Sequence, residues 1–420
     1  MTKQIQAAHS VCADFSYTPR LIRTTIILVA FVLVPVIIVA QAASAQTRAI
    51  SQVVGATEHG VGLGNVLTSA DGGQIFGFDI NENEGGTDGI LTEAVTAQDG
   101  SVTSAVETFD LTTGQITKTV TTLVAPKGAD ELVMFGIGGN DVGLVDYERE
   151  HVKNDQLMRD DIFGVLNPVS GEKSTGPWTP PHPENSVLQD VAQNQSTSTQ
   201  VVMVFRLTEN QPEAWLYVTD LATNTFLNSI YLKRGGSFVI AQDTATNQAV
   251  LPTSDGAGTP IIEMVNLTTA KITWFLGFNN GFDGAGMQNG LAVDSNTDIA
   301  CTTTQLNSQV EFYTLATGAG TYAQLPDTTD TSELTAGWAV TNDPVNGLFL
   351  VAQPYSSTEP NGSTIYVYNE TADLIETIQG FNFPNSNLPL TAPVRIAINP
   401  SLRVGWVNGP NVNQLQQFFY

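Results

Sequence analysis

One short segment of the chain holds residue types that could bind a hard cation. Its candidate ligands are Asp79, Asn81, Asn83 and Asp88. Alternating carboxylate and amide oxygens across a glycine-rich turn are typical of Ca2+ ligation. The spacing departs from an EF-hand loop, because Glu84 takes the sixth position, where Gly is needed, and Ile90 takes the twelfth, where Glu is needed. The segment therefore predicts either a structural calcium site or a solvated connecting loop.

The sequence shows no recognised catalytic motif. His59, His151 and His182 show neither zinc spacing nor an HExxH pattern. The sequence contains no G-x-S-x-G elbow, phosphate-binding loop or dinucleotide fingerprint. Cys301 stands in the apolar context Ile299-Ala300-Cys301, which favours an inert core thiol over a nucleophile. The residues thus offer no set of acid, base and nucleophile.

The elements that would position these groups repeat along the chain. A tight polar turn recurs after hydrophobic stretches, and its copies begin at Asp110, Asn167, Asp220, Asn266, Thr314 and Asn369. The copies are 46 to 57 residues apart, close to the length of one four-stranded propeller blade. Asp, Asn and Thr side chains hydrogen-bond to backbone two residues on, and Gly or Asn accepts a positive φ. This period predicts an all-β chain folded as a β-propeller.

A second marker is an alternating strand that runs into an Asx turn. It predicts the innermost strand of a blade, at residues 238–243, 291–294, 338–343 and 394–399, with weaker copies at 66–73 and 187–194. The last blade lacks one strand, and residues 48–54 could supply it by pairing with the end of the chain. We therefore predict seven four-stranded blades closed by the terminal strands, with six or eight blades as the alternatives. A short amphipathic helix is expected only near residues 149–158.

Two segments carry a resemblance to known propellers. Asn289-Gly290-Leu291-Ala292 resembles a turn of the NHL and YVTN-type propellers and, more loosely, of calcium-dependent lactonases of the gluconolactonase and paraoxonase kind. The segment from Ala70 to Asp79 looks like the opening hairpin of those lactonases. In those lactonases an Asn in such a turn ligates calcium at the channel mouth, so the resemblance implies that Asn289 is a calcium ligand. The chain departs from that family at Gly64-Asn65, where an opening Glu is expected.

The N-terminal segment predicts export. Three basic residues precede an apolar run at residues 24–40, and Ala43-Ser44-Ala45 offers a cleavage site. We predict a signal peptide at residues 1–45, with an uncleaved anchor as the alternative, and a single propeller domain at residues 46–420. The mature chain would be secreted or periplasmic, would have no membrane span, and is expected to be a monomer.

The composition is strongly acidic, with a formal charge of −25 for the full chain. Removing residues 1–45 removes three basic residues and Asp14, which leaves 13 basic and 40 acidic residues and a charge of −27. Nucleic acid is therefore not an expected partner. The leading hypothesis is a binding or scaffold protein for a protein, glycan or envelope component. The alternative is a calcium-dependent lactonase or esterase acting at the central channel.

Overall fold

The structure is a computed structural model. It describes residues 60–420 except 70–72, 82–85, 126–131, 140–141, 154–155, 167–172, 175–185, 195–196, 208–211, 221–222, 224, 234–236, 238, 255–258, 277–287, 305–308, 327–338, 354–362, 382–394 and 409–412. Every regular element in the described residues is a β-strand. No helix there is long and apolar enough to cross a membrane.

The described strands form four-stranded antiparallel sheets, and six of these sheets are each built from consecutive strands. Sheet 1 contains β2 (Gln74–Ile80), β3 (Asp88–Thr96), β4 (Val102–Asp110) and β5 (Ile116–Ala125); sheet 2 contains β6 (Leu132–Gly139), β7 (Val142–Lys153), β8 (Gln156–Leu166) and β9 (Lys173–Ser174); sheet 3 contains β10 (Ser186–Asn194), β11 (Thr199–Leu207), β12 (Pro212–Asp220) and β13 (Thr225–Leu232). Sheet 4 contains β14 (Ala241–Asp243), β15 (Gln248–Ser254), β16 (Pro260–Asn266) and β17 (Ile272–Leu276); sheet 5 contains β18 (Gln288–Asp294), β19 (Ile299–Thr304), β20 (Gln309–Thr314) and β21 (Gly320–Gln324); sheet 6 contains β22 (Ala339–Asp343), β23 (Leu348–Gln353), β24 (Ser363–Asn369) and β25 (Leu374–Phe381).

A further four-stranded sheet joins the two ends of the described chain. This closing sheet has the order β1-β28-β27-β26, formed by β1 (Gly62–Thr68), β26 (Ile396–Asn399), β27 (Val404–Asn408) and β28 (Gln414–Phe419). The architecture is thus an all-β propeller. It has six blades of continuous chain, where seven were predicted, and one composite sheet that closes the ring. The predicted pairing of terminal strands is present.

The strand that completes the closing sheet differs from the predicted one. Residues 48–54 lie outside the described residues, and β1 pairs with β28 instead, with Leu67 opposite Leu415. The prediction that residues 66–73 form an inner strand is wrong, because Val66 and Leu67 belong to this outer strand. Gly64 is required here, since a Cβ at this position would lie 2.3 Å from the Gln417 side chain.

The first strand of each of sheets 1 to 6 lies at the centre of the ring, and β26 takes this place in the closing sheet. These inner strands contact those of neighbouring sheets, as β2 does with β6 and β26, and β18 does with β14 and β22. The predicted inner strands near residues 187–194, 238–243, 291–294, 338–343 and 394–399 correspond to β10, β14, β18, β22 and β26. The helix expected near residues 149–158 is wrong, because those residues belong to the paired strands β7 and β8.

Both predicted types of tight turn are present. The turn after an inner strand begins with a buried Asx residue and reaches a left-handed residue four positions later, in the pairs Asn194 and Ser198, Asp243 and Asn247, Asp294 and Asp298, Asp343 and Gly347, and Asn399 and Arg403. The Asx oxygen accepts hydrogen bonds from backbone further along, as Asp294 Oδ1 does from Asn296 N at 2.8 Å. The turn between the third and fourth strands has the same spacing, with Gly114, Ala270 and Gly318 in the left-handed region.

The core lies between adjacent sheets. Apolar side chains of sheets 3 and 4, 4 and 5, 5 and 6, 6 and the closing sheet, and the closing sheet and sheet 1 form successive clusters. Trp406 is fully buried, meets Phe109 edge to face at 5.4 Å between ring centroids, and donates from Nε1 to Leu111 O at 3.2 Å. The sheets joined by these clusters therefore depend on their neighbours for the burial that stabilises them.

Candidate functional site

The strand ends sort into two opposite faces of the propeller. The ends of neighbouring inner strands are joined by hydrogen bonds, as between Thr244 N and Ser295 Oγ at 2.8 Å. The third-to-fourth turns lie on the same face, because Leu267 N donates to Asn247 O and Leu315 N donates to Asp298 O. We call this the turn face. The inner strands begin at the opposite face, which we call the loop face.

The Asp79 segment lies on the turn face, in the hairpin between β2 and β3. Asn399 Nδ2, from the closing sheet, donates to Asn81 O at 2.6 Å and to Gly86 O at 3.1 Å. Asn81 Nδ2 donates to Asp88 Oδ1 at 3.4 Å, and Asp79 Oδ1 accepts from Ile80 N at 2.8 Å. The described contacts of this hairpin hold it against the closing sheet. Asn83 lies outside the described residues.

Asn289 lies near the opposite end of an inner strand. It is the second residue of β18, at a bulge between Gln288 and Gly290, close to the loop face. Its side chain lies outside the described part of the chain. Asn289 stands five positions before Asp294 at the turn face, about 17 Å of extended strand. One ion therefore cannot be shared between Asn289 and the Asp79 segment.

The described residues contain no group of three or more His, Cys, Asp or Glu side chains that could hold a metal ion. This absence covers His, Cys, Asp and Glu of the described residues, and Asn81 and Asn289 are of another residue type. Calcium at Asn289, or at Asp79, Asn81, Asn83 and Asp88, thus stays a prediction.

The structure brings together two charged residues that the sequence reasoning missed. Arg395 precedes β26 of the closing sheet, and Asp190 lies in β10 of sheet 3. Arg395 Nη2 is 3.9 Å from Asp190 Oδ1. Sheet 3 contacts sheets 2 and 4, whereas the closing sheet contacts sheets 1 and 6. Because the two sheets are not neighbours, this ion pair spans the central channel.

Both side chains of the pair are partly buried, and not all of their polar atoms form hydrogen bonds among the described residues. Asp190 Oδ2 accepts from Ile240 N at 2.9 Å. Burial raises the pKa of Asp190, and the Arg395 charge and backbone N–H groups oppose that rise. Arg395 Nε is buried and has no hydrogen-bond partner among the described residues. The pair is longer than a hydrogen bond, so the guanidinium keeps donor capacity for another acceptor.

A signal for this pair exists in the sequence. Asp190 stands four residues before Asn194, and Arg395 stands four residues before Asn399. Both Asn residues begin the repeated turn, so aligning the repeats on that turn places the two charges at the same level of the channel. Opposite charges at one level of two inner strands would have indicated the contact.

Cys301 lies in the core and is fully buried. Burial, with a contribution from Glu311, raises the pKa of its thiol well above the ordinary value. A neutral buried thiol is a poor nucleophile, so the interpretation of Cys301 as a core residue is confirmed.

The comparisons with known proteins support the fold and no narrower assignment. No protein family model matches the chain, and no curated protein matches it. Among solved structures, 840 chains match. One, described as "Structure of U3-55K", has 10% sequence identity and a TM-score of 0.50, covering 83% of this chain and 95% of that chain. At this identity the likeness shows the β-propeller fold alone, and membership of the NHL, YVTN or lactonase families stays a prediction.

Proposed function

We propose that the chain is an exported binding protein whose ligand enters the central channel and contacts Arg395. The observation that carries the proposal is the ion pair between Arg395 and Asp190, which joins sheets on opposite sides of the channel. The propeller fold supports a binding or scaffold role in general terms.

The chemistry of the pair indicates the kind of ligand. A guanidinium binds a carboxylate through two parallel hydrogen bonds, and Arg395 Nε has no described partner. Asp190 keeps its backbone hydrogen bond to Ile240 N when Arg395 turns to another acceptor. We therefore propose a small ligand with a carboxylate group that binds Arg395 in place of Asp190.

Export remains part of the proposal. It rests on the apolar run at residues 24–40 behind basic residues, on the small residues before Gln46, and on the acidic composition. The mature chain, residues 46–420, would then meet its ligand outside the cytoplasm.

A calcium-dependent hydrolase gains no specific support from the described residues. Such an enzyme needs several oxygen ligands that converge on one point of the channel. The candidate segments of the sequence lie at opposite faces, and no described acidic cluster joins Asn289 at its end.

Citrate, succinate and gluconate, measured by calorimetry on the purified protein, test the channel proposal. We expect one of these carboxylates to bind, and Arg395→Gln to weaken that binding at least about tenfold. The single variant leaves the partly buried Asp190 carboxylate without its partner, so we expect it to cost up to about 3 kcal/mol of stability. The double variant with Asp190→Asn and Arg395→Gln removes both charges and is expected to keep the fold.

Lys271→Gln is the matched control, because Lys271 is an exposed cation on the turn face. It should leave binding within about twofold of the wild-type value. Retained carboxylate binding in the folded double variant, or no binding of any of the three carboxylates to the wild-type protein, would contradict the proposal.

A further inference from the structure

Sheet 3 carries an aromatic and charged cluster on the side that faces sheet 2, beside the fully buried Tyr217. Ala214, Leu216 and Val218 of β12 pack against sheet 4. Because side chains alternate along a strand, Glu213 and Trp215 point to the other side. Arg206 is the cross-strand partner of Glu213, and Tyr231 is the cross-strand partner of Trp215. We call the set of Arg206, Glu213, Trp215 and Tyr231 the sheet 3 platform.

The polar members of the platform converge on one oxygen. Trp215 Nε1 donates to Glu213 Oε2 at 3.3 Å, and Arg206 Nη1 lies 3.4 Å from the same atom. The side chains of Arg206 and Glu213 are 31% and 28% exposed. A carboxylate oxygen and guanidinium donors are therefore held side by side within reach of solvent.

The aromatic members form a supported ring surface. The Trp215 and Tyr231 ring centroids are 5.0 Å apart with an interplanar angle of 46°. Tyr231 is 36% exposed, whereas Trp215 is partly buried behind the polar pair. Trp215 thus fixes both Tyr231 and Glu213, one by ring contact and the other by a hydrogen bond.

We propose that the sheet 3 platform binds a sugar ring of a neutral glycan. The C–H face of a pyranose is apolar and packs on an aromatic ring such as Tyr231. Neighbouring hydroxyl groups are both donors and acceptors, so they match a carboxylate beside a guanidinium. This site is separate from the channel and does not depend on Arg395.

Isothermal titration calorimetry with maltohexaose, cellohexaose, laminarihexaose and chitohexaose tests the platform. We expect one of these oligosaccharides to bind the wild-type protein at millimolar concentration or below. Tyr231→Ala removes the stacking surface and should weaken that binding about tenfold. Glu213→Gln keeps the size of the side chain and the Trp215 contact but loses the charge, and should weaken binding about fivefold.

Tyr322→Ala is the matched control, because Tyr322 is an exposed tyrosine on the fourth strand of sheet 5. It should leave affinity within about twofold of the wild-type value. Thermal unfolding of each variant separates lost binding from lost folding, and Glu213→Gln is expected to fold normally. No binding of any of the four sugars, or equal binding by wild type, Tyr231→Ala and Glu213→Gln, would overturn the glycan site and leave the channel proposal untouched.

Discussion

Glu311 in the third strand of sheet 5 is removed from water. Oε2 accepts a hydrogen bond from the Tyr313 hydroxyl at 2.5 Å, and Oε1 is buried without a hydrogen-bond partner among the described residues. Burial raises the pKa of Glu311 from 4.5 to about 7, and the Tyr313 hydrogen bond opposes that rise. A single side chain should therefore link the stability of the whole domain to pH near neutrality.

Glu311→Gln tests that link. The folded state keeps a proton that the unfolded chain releases above pH 4.5, so this contribution is full below pH 4.5 and is lost as the pH rises to about 7. The slope is about 1.4 kcal/mol per pH unit within that window. We expect Glu311→Gln to be more stable than wild type at pH 8 and to lose less stability between pH 5 and pH 7.

Denaturant unfolding at several pH values measures this difference. Glu376→Gln, at an exposed position of β25, is the control and should follow the wild-type pH profile. Parallel profiles for wild type and Glu311→Gln would show that the buried carboxylate does not contribute.

The repeated turns between strands explain why the propeller fold could be predicted from the sequence. Their Asx side chains and left-handed residues are local requirements, so they recur at regular spacing and locate the inner strands. The residue in the left-handed position is not always the preferred one. Gly114 is required because a Cβ there would lie 2.7 Å from Trp406, whereas Ala270 is exposed and remains at a φ of 56°.

Ala270→Gly should stabilise the protein. A left-handed conformation costs a non-glycine residue about 1–2 kcal/mol, and the greater freedom of unfolded Gly offsets about half of that. We expect a net gain of about 0.5–1 kcal/mol, measured from the midpoint of urea unfolding at a constant slope.

Ala316→Gly is the matched control. Ala316 is exposed in the corresponding turn of sheet 5, where Gly318 already takes the left-handed position. Here the change should destabilise by about 0.5 kcal/mol, because it only adds freedom to the unfolded chain. A loss of stability in both variants would contradict the assignment of strain to Ala270.

The whole molecule depends on contacts between parts of the chain that are far apart in sequence. These contacts are what the sequence did not reveal: repeats located β10 and β26, but nothing local paired Asp190 with Arg395 across the channel. The pairing of the chain ends could be inferred from the missing strand of the last sheet. The sequence could not show that β1 is the strand that pairs with β28. This pairing depends on the space that Gly64 leaves for the Gln417 side chain and on the burial of Leu67.

Gln417 is the side chain that we expect to contribute most to the closure of the propeller ring. Its Oε1 accepts from Asn65 N at 2.9 Å, and its Nε2 donates to Leu111 O at 2.6 Å and to Thr112 O at 3.1 Å. The fully buried amide thus ties β1 and sheet 1 to β28. Gln417→Leu leaves these backbone groups without that partner, so we expect a loss of about 2–4 kcal/mol in the free energy of unfolding.

Gln414→Leu provides the comparison on the same strand. Gln414 Nε2 donates to Thr68 Oγ1 at 3.4 Å in a partly buried contact, so its replacement should cost less than about 1 kcal/mol. Chemical denaturation followed by tryptophan fluorescence measures both variants, because Trp406 lies in the cluster between sheet 1 and the closing sheet. Equal losses would mean that closure depends on strand pairing alone. A larger loss for Gln417→Leu would mean that the buried amide stabilises the closed ring. Of these two side chains, Gln417 is the one that bonds to sheet 1 as well as to the segment of β1.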